Sequence, residues 1–253
     1  MASTIAKHDP KSRRSEIIAT ELGYLWSNLL QRGVIDTHRT IGFCAIGDDE
    51  GSNTLAANLA LFLGSKGKRI ALQKGSSAHY LLVQAVAKAG LKWDDIQPIY
   101  LAPADARAAF ERKAVDAWAI WDPFYAATEL AIKPRVLTTG RALSSNNSFY
   151  LASRPFATQH PQALNALFEE LTRADQLVQE RRGEAIKLIA GFSGLDAGVV
   201  SLFLQRRPRS PVGPLNAQTV ADQQRVADAF HKLGLIPKPV RVSDIVWRPE
   251  GLS

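Results

Sequence analysis

From Ser15 onward the apolar positions of this chain fall into runs whose spacing changes along its length. Ile18, Leu22, Leu25, Trp26 and Leu29 recur at helical intervals, which predicts an amphipathic helix ending near Gly33. The continuous run TIGFCAI (Thr40 to Ile46) predicts a buried strand, the polar GDDEGSNT (Gly47 to Thr54) a loop, and TLAANLALFLGSKG a helix with a mostly apolar face. Beyond Lys66 short apolar runs alternate with helical patterns. RIAL (Arg69 to Leu72), IQPIYL (Ile96 to Leu101), VDAWAI (Val115 to Ile120) and PRVLTT (Pro134 to Thr139) predict strands, with helices over SSAHYLLVQAVAKAG and PADARAAFERKA between the first three. That alternation marks a parallel sheet with crossover helices. NNSFYLAS (Asn146 to Ser153) predicts a further strand, after which the pattern is almost wholly helical. Leu164, Leu167, Phe168, Leu171, Ala174 and Val178 form one stripe after Pro161, and a last helix from Ala217 to Leu233 stops at Gly234.

Composition narrows the class. The chain has 253 residues, 46% hydrophobic and 22% charged, enough for one large domain or two small ones with a real core. Its single cysteine, Cys44, excludes an internal disulfide framework. No run approaches the roughly eighteen uninterrupted apolar residues of a membrane span, so no membrane insertion is expected. The N-terminal residues 1 to 14 read as a disordered polar leader without the apolar core of a signal peptide, which as written leaves the chain in the cytoplasm. The net charge of +7 raises nucleic-acid binding, but the basic residues come as scattered pairs (Arg13 and Arg14, Arg181 and Arg182, Arg206 and Arg207) without interleaved aromatics. They read as solvated surface, and no nucleic-acid partner is expected.

Candidate chemistry concentrates where RIAL meets the following helix. Lys74 to Tyr80, KGSSAHY, breaks a strand at Gly75 and re-enters as a helix, which leaves backbone N–H groups pointing forward beside serine hydroxyls. The stretch is either an anion seat or an ordinary capped helix. The histidines His8, His38, His79, His160 and His231 are widely separated, and neither HExxH, CxxC nor GxSxG occurs. No catalytic constellation, metal or cofactor is expected.

Two resemblances add to this reading. Over residues 14 to 72, a loop before an AANLA helix and a GKR strand resembles the start of the MinD-like and bacterial tyrosine-kinase-like ATPases. In that pattern Glu50, Gly51 and Thr54 match, but Ser52 stands where the phosphate-binding lysine belongs and Asn53 where the first hydroxyl belongs. Asp48 and Asp49 would also repel phosphate. The loop is therefore a degenerate Walker A motif, and no enzyme activity is expected of it.

KGKRIALQKGSSAHYLLV, AGLKWDDIQPIYLAPADARAAF, VDAWAIWDPF, NNSFYLASRPFATQHPQAL, VGPLNAQTVADQQRVADAF and LIPKPVRVSDIVW, spread over residues 66 to 249, resemble the aliphatic sulfonate-binding proteins of bacterial ABC importers. That resemblance implies a type II periplasmic-binding-protein-like α/β fold, related to taurine- and nitrate-binding proteins. It implies a two-lobed receptor that closes over an alkanesulfonate, is not an enzyme, lies in the periplasm, and hands its ligand to an ABC permease once exported. The expected domains are an ATPase-like segment at 15–65, a complete α/β ligand-binding lobe at 66–140, and a return segment with the mainly helical, incomplete remainder of the other lobe at 141–253. Because the two resemblances meet near SKGKRIAL, the chain reads as chimeric. The alternatives are a nucleotide-binding regulatory protein and a non-functional hybrid.

With a sulfonate as ligand, Gly75, Ser76 and Ser77 supply neutral donors at a helix N-terminus, with His79 one turn inside. His79 is read either as a ligand contact or as a packing histidine. Trp118 and Trp121 are candidates for an apolar wall, with a core role open for at least one. Asp122, before Pro123, either caps the next helix or fixes a donor or a ligand amine. Asp105 is read as a cap, and Arg107 faces the cleft or solvent. Asn147 and Tyr150 either line the hinge side of a cleft or end a strand.

Overall fold

The structure is a computed structural model that describes residues 67–141, 143–145, 147–207 and 212–248. These residues fall within one compact unit. The helix expected from Ser15, the strand at Thr40 to Ile46, the loop at Gly47 to Thr54 and the leader lie outside the described residues.

β1 (Arg69–Leu72) is the central strand of a three-stranded sheet in the order β2-β1-β3, and both pairings are parallel. A strand flanked on both sides and covered on both faces must be apolar throughout, which RIAL is after its first residue. Its side chains alternate between two cores. Ile70 and Leu72 pack with Leu82, Ala85 and Val86 of α1 (Ser77–Lys88) and with Ile96. Ala71 points the other way, to Ala106 and Ala109 of α2 (Pro103–Glu111) and to Val115. The small side chains on this second face let α2 approach the sheet closely.

A 3-10 turn at Trp93–Asp95 leads into β2 (Gln97–Tyr100). β3 keeps only Ala117–Trp118 of the expected VDAWAI strand. It is anchored at one end by Asp116, whose carboxylate accepts the Arg69 N–H at 2.8 Å, and at the other by the Ala119 N–H donating to the Ala71 carbonyl at 2.9 Å.

Two expected strands are not strands. At Pro134 to Thr139 the chain leaves α3 (Phe124–Ile132) through the left-handed Lys133 and runs without a ladder, although Leu137 still packs on the Ile70 face of the core. Pro134 supplies no N–H, and the Leu137 contact is made by a side chain alone. The segment Asn147 to Ser153 is likewise irregular, with Tyr150 59% and Leu151 93% exposed. Apolar alternation there finds no neighbouring strand edge among the described residues.

The remainder is helical: α4 (Arg154–Gln159), α5 (Pro161–Glu180), α6 (Arg182–Ser193), α7 (Ala197–Arg206), α8 (Ala217–Lys232) and a 3-10 turn at Val242–Ile245. α7 packs on both α6 and α3, and α6 also on α5, so this block is tied to the sheet through α3 and its contact with α2. α8 returns to pack on α1. The α5 stripe is only partly covered: Leu164 is buried, Phe168, Leu171 and Val178 are half-buried, and Leu167 and Ala174 are exposed. α8 ends near Gly234, which takes φ +69, as its glycine stop requires.

Candidate functional site

In a parallel sheet flanked by helices, the crevice forms outside the carboxyl ends of the strands. Here that edge carries the loop 73–76 after β1, Leu101 and Ala102 after β2, and Ala119 to Asp122 after β3. Gly75, Ser76 and Ser77 therefore leave the sheet beside Trp121 and Asp122, from adjacent strands.

Ser76 caps α1. Its hydroxyl accepts the His79 N–H at 3.2 Å and donates to the Gln73 carbonyl at 2.7 Å. Its own N–H also turns back to Gln73, at 3.3 Å. Gly75 sits at φ +75, where a side chain would be strained. Its N–H donates to Nδ1 of His79 at 3.0 Å. The N–H groups of Ser77 and Ala78, first in the helix, have no earlier intrahelical acceptor, and Ser77 is exposed. The donor set thus begins at Ser77 instead of Gly75, with the helix dipole behind it.

His79 is 1% exposed. Because Nδ1 accepts from Gly75, a neutral ring carries its proton on Nε2, and Nε2 has no hydrogen-bond partner. It lies among rings: Trp93 at 5.0 Å, Phe230 of α8 at 5.5 Å and Tyr100 at 5.7 Å between centroids. Burial first, and the nearby Lys74 ammonium second, hold the imidazole below its ordinary pKa and favour its neutral form. Lys74 itself is exposed, with Nζ 5.5 Å from the Tyr100 ring centroid.

Trp118 is half-buried against Phe110 at 6.1 Å, on the α2 face of the sheet, and its indole N–H is buried without a partner. Trp121 lies beyond the strand end, edge-on to Phe124 at 6.0 Å. Of the two, Trp121 stands at the crevice edge and Trp118 belongs to the core layer.

Asp122 is committed to structure on both oxygens. Oδ1 accepts the Ala126 N–H in the first turn of α3 at 2.9 Å, and Oδ2 lies 3.4 Å from Nε of Arg206 on α7. Arg206 also binds Glu129 at 2.6 Å and lies over the Tyr125 ring at 4.3 Å. Burial raises the Asp122 pKa, and the Arg206 charge opposes that rise.

Asp105 is not the cap of α2: Ala102 occupies that position, and Asp105 supplies negative charge in the first turn. Arg107 pairs with Glu111 at 2.7 Å on the exposed surface. Asn147 donates to Ser145 at 3.2 Å, and Tyr150 packs on Phe168 of α5 at 6.2 Å. Among the described residues no hydrogen bond or ring contact joins either to the loop after β1.

Trp93 and Tyr100 were not singled out from the sequence; Phe230 was expected to face inward, and Arg206, read as solvated surface, is instead half-buried and paired with Asp122 and Glu129. Tyr100 ends a strand beside the loop and was in principle readable from strand order, while the helical spacing marks Phe230 as inward but names neither its partner nor that of Arg206, since both arrive from distant helices. Among the described residues no cluster of His, Cys, Asp and Glu could hold a metal ion. No described helix is long and apolar enough to cross a membrane.

Comparison with known proteins points one way. A model of the NMT1-like family matches residues 39–192. A relative from Escherichia coli K12, named for binding aliphatic sulfonates, is 46% identical over 74% of this chain and 59% of its own length. The solved periplasmic aliphatic sulphonate binding protein SsuA of Escherichia coli superposes with a TM-score of 0.71 at 44% identity, over 76% of this chain and 62% of that one. The alkanesulfonate-binding protein SsuA of Xanthomonas axonopodis pv. citri, solved with MOPS bound, gives 0.69 at 46% identity, over 75% and 65%. The chain thus spans about three fifths of the length of these relatives. The fold is the α/β type of periplasmic binding proteins, and the described residues that follow the sheet are mainly helical. The family match runs through Gly47 to Thr54, and the ATPase resemblance finds no support in these relatives.

Proposed function

This chain belongs to the NMT1-like family, and we propose that it is a receptor for small aliphatic sulfonates, of the kind that supplies an ABC-type importer. One observation carries the proposal beyond kinship. At the carboxyl edge of the sheet, the exposed Ser77 at the helix N-terminus offers its N–H and its hydroxyl, with no carboxylate of the loop competing for them. A sulfonate spreads one charge over three oxygens, and several neutral donors suit it better than one point cation. In this reading Gly75 and Ser76 shape and cap the seat while Ser77 donates. Trp121 offers apolar surface to the alkyl chain from the neighbouring strand end, and Trp118 supports the sheet behind it. Asp122 holds α3 in place, and Asn147 and Tyr150 belong to the segment that crosses back.

The division at about residue 140 is part of the proposal. It is supported by the long irregular stretch between α3 and α4, after which α8 comes back to α1. Export to the periplasm and docking on a permease follow from the same kinship. The expected chemistry is reversible binding, not turnover.

A thermal-shift panel tests the reading. Methane-, ethane- and butanesulfonate, taurine and MOPS at 100 times their dissociation constants should each stabilise the fold by about 2.7 kcal/mol through linkage. ATP with magnesium should give no shift. Stabilisation by ATP but by no sulfonate would overturn the proposal.

A further inference from the structure

The loop before α1 is held by a side chain that lies inside the helix. His79 reaches back to it twice: its backbone N–H binds the Ser76 hydroxyl at 3.2 Å, and its ring Nδ1 takes the Gly75 N–H at 3.0 Å. The ring cannot drift, because Trp93, Tyr100 and Phe230 pack around it and it is 1% exposed. Those rings come from three separate elements: the 3-10 turn, β2 and α8. The Gly75 N–H is therefore removed from the donors a ligand could use, and the left-handed turn at φ +75 is pinned by a buried acceptor.

We infer that His79 is a positioning residue: it does not touch the anion but fixes the Gly75 turn, so that the exposed Ser77 is held in place at the start of α1. The assignment rests on the receptor reading above and adds to it which atom does the work, namely Nδ1. It separates Gly75, whose N–H is spent on His79, from Ser77, which is exposed. A free loop would have to be ordered when ligand binds, and prepaying that ordering raises affinity without a new contact.

Two substitutions distinguish the acceptor from the ring. In His79→Asn the Oδ1 atom falls where Nδ1 was, so an acceptor for Gly75 survives although the ring is lost. In His79→Gln the polar atoms fall near the Nε2 position, and nothing replaces Nδ1. Both lose stability from the missing ring, so binding is read well below each variant's melting temperature. Ethanesulfonate affinity by calorimetry and Gly75 amide hydrogen exchange by NMR are the two readouts. The expected result is binding within about threefold of the unsubstituted protein for His79→Asn and weakened about tenfold for His79→Gln. Gly75 exchange should remain slow in the first variant and become fast in the second. Equal affinity of the two variants, or equal Gly75 exchange, would overturn the positioning role while leaving the receptor reading intact. Absence of sulfonate binding by the unsubstituted protein, with the exchange difference present, would overturn the receptor reading and the positioning role with it, leaving only a loop contact.

Discussion

Two neighbouring serines at the start of α1 have separate jobs. Ser76 uses its hydroxyl on both sides, toward His79 N–H and toward Gln73, so Ser76→Ala should cost about 1 kcal/mol of stability in a urea titration. Ser77 is exposed and makes no cap. Ser77→Ala should leave the urea midpoint within about 0.5 kcal/mol while weakening alkanesulfonate binding several-fold. Equal loss of stability in both variants would contradict the division. His79 gives the loop a pH dependence. Its folded-state pKa lies below 6.5, from burial first and Lys74 second, so below pH 6.5 the unfolded chain binds the extra proton. The stabilisation is complete above that value and is lost as pH falls toward the folded-state pKa. Asp122 acts with the opposite sign: its raised pKa adds stability below 3.8 that is lost as pH rises through the folded value. Unfolding free energy measured between about pH 7 and pH 5 should fall in the unsubstituted protein and flatten in His79→Asn.

At the scale of elements, local rules carried far in β1, α1 and α2. RIAL is apolar on both faces, Ser76 caps, Pro103 opens α2, and each of these signals lies within a few residues of what it determines. The strands expected at Pro134 and Asn146 failed because a strand is defined by its partner, and periodicity says nothing about whether an edge is nearby. The role of Asp122 was readable only in half. Its place before Pro123 pointed to α3, but the second oxygen answers to Arg206, on α7. That pair, with Glu129, joins α7 to α3. Arg206→Met should cost about 1–3 kcal/mol, because two half-buried carboxylates lose their cation. Removing Asp122 and Arg206 together should cost less than the sum of the two single losses in a double-mutant cycle.

For the whole molecule, the return of α8 onto α1 matters most. Phe230 meets both His79 and Tyr80, at 5.5 and 6.3 Å, so the C-terminal helix supports the shape of the candidate site from behind. The helical spacing of residues 217–232 turns Phe230 inward, but it does not say that the face it meets is that of His79 and Tyr80. The fold class was readable because alternating strands and helices have few solutions; the pairing of distant faces was not. Phe230→Ala should cost about 2–4 kcal/mol and loosen the Gly75 loop as well, seen as faster exchange of the Gly75 amide. Faster exchange in α8 alone would show that the two are not coupled. The most direct test of the account is a calorimetric titration of the protein with ethanesulfonate. Saturable heat at one site per chain, lost several-fold in affinity in Ser77→Ala, is the predicted result; an absence of saturable binding by every short alkanesulfonate would contradict it.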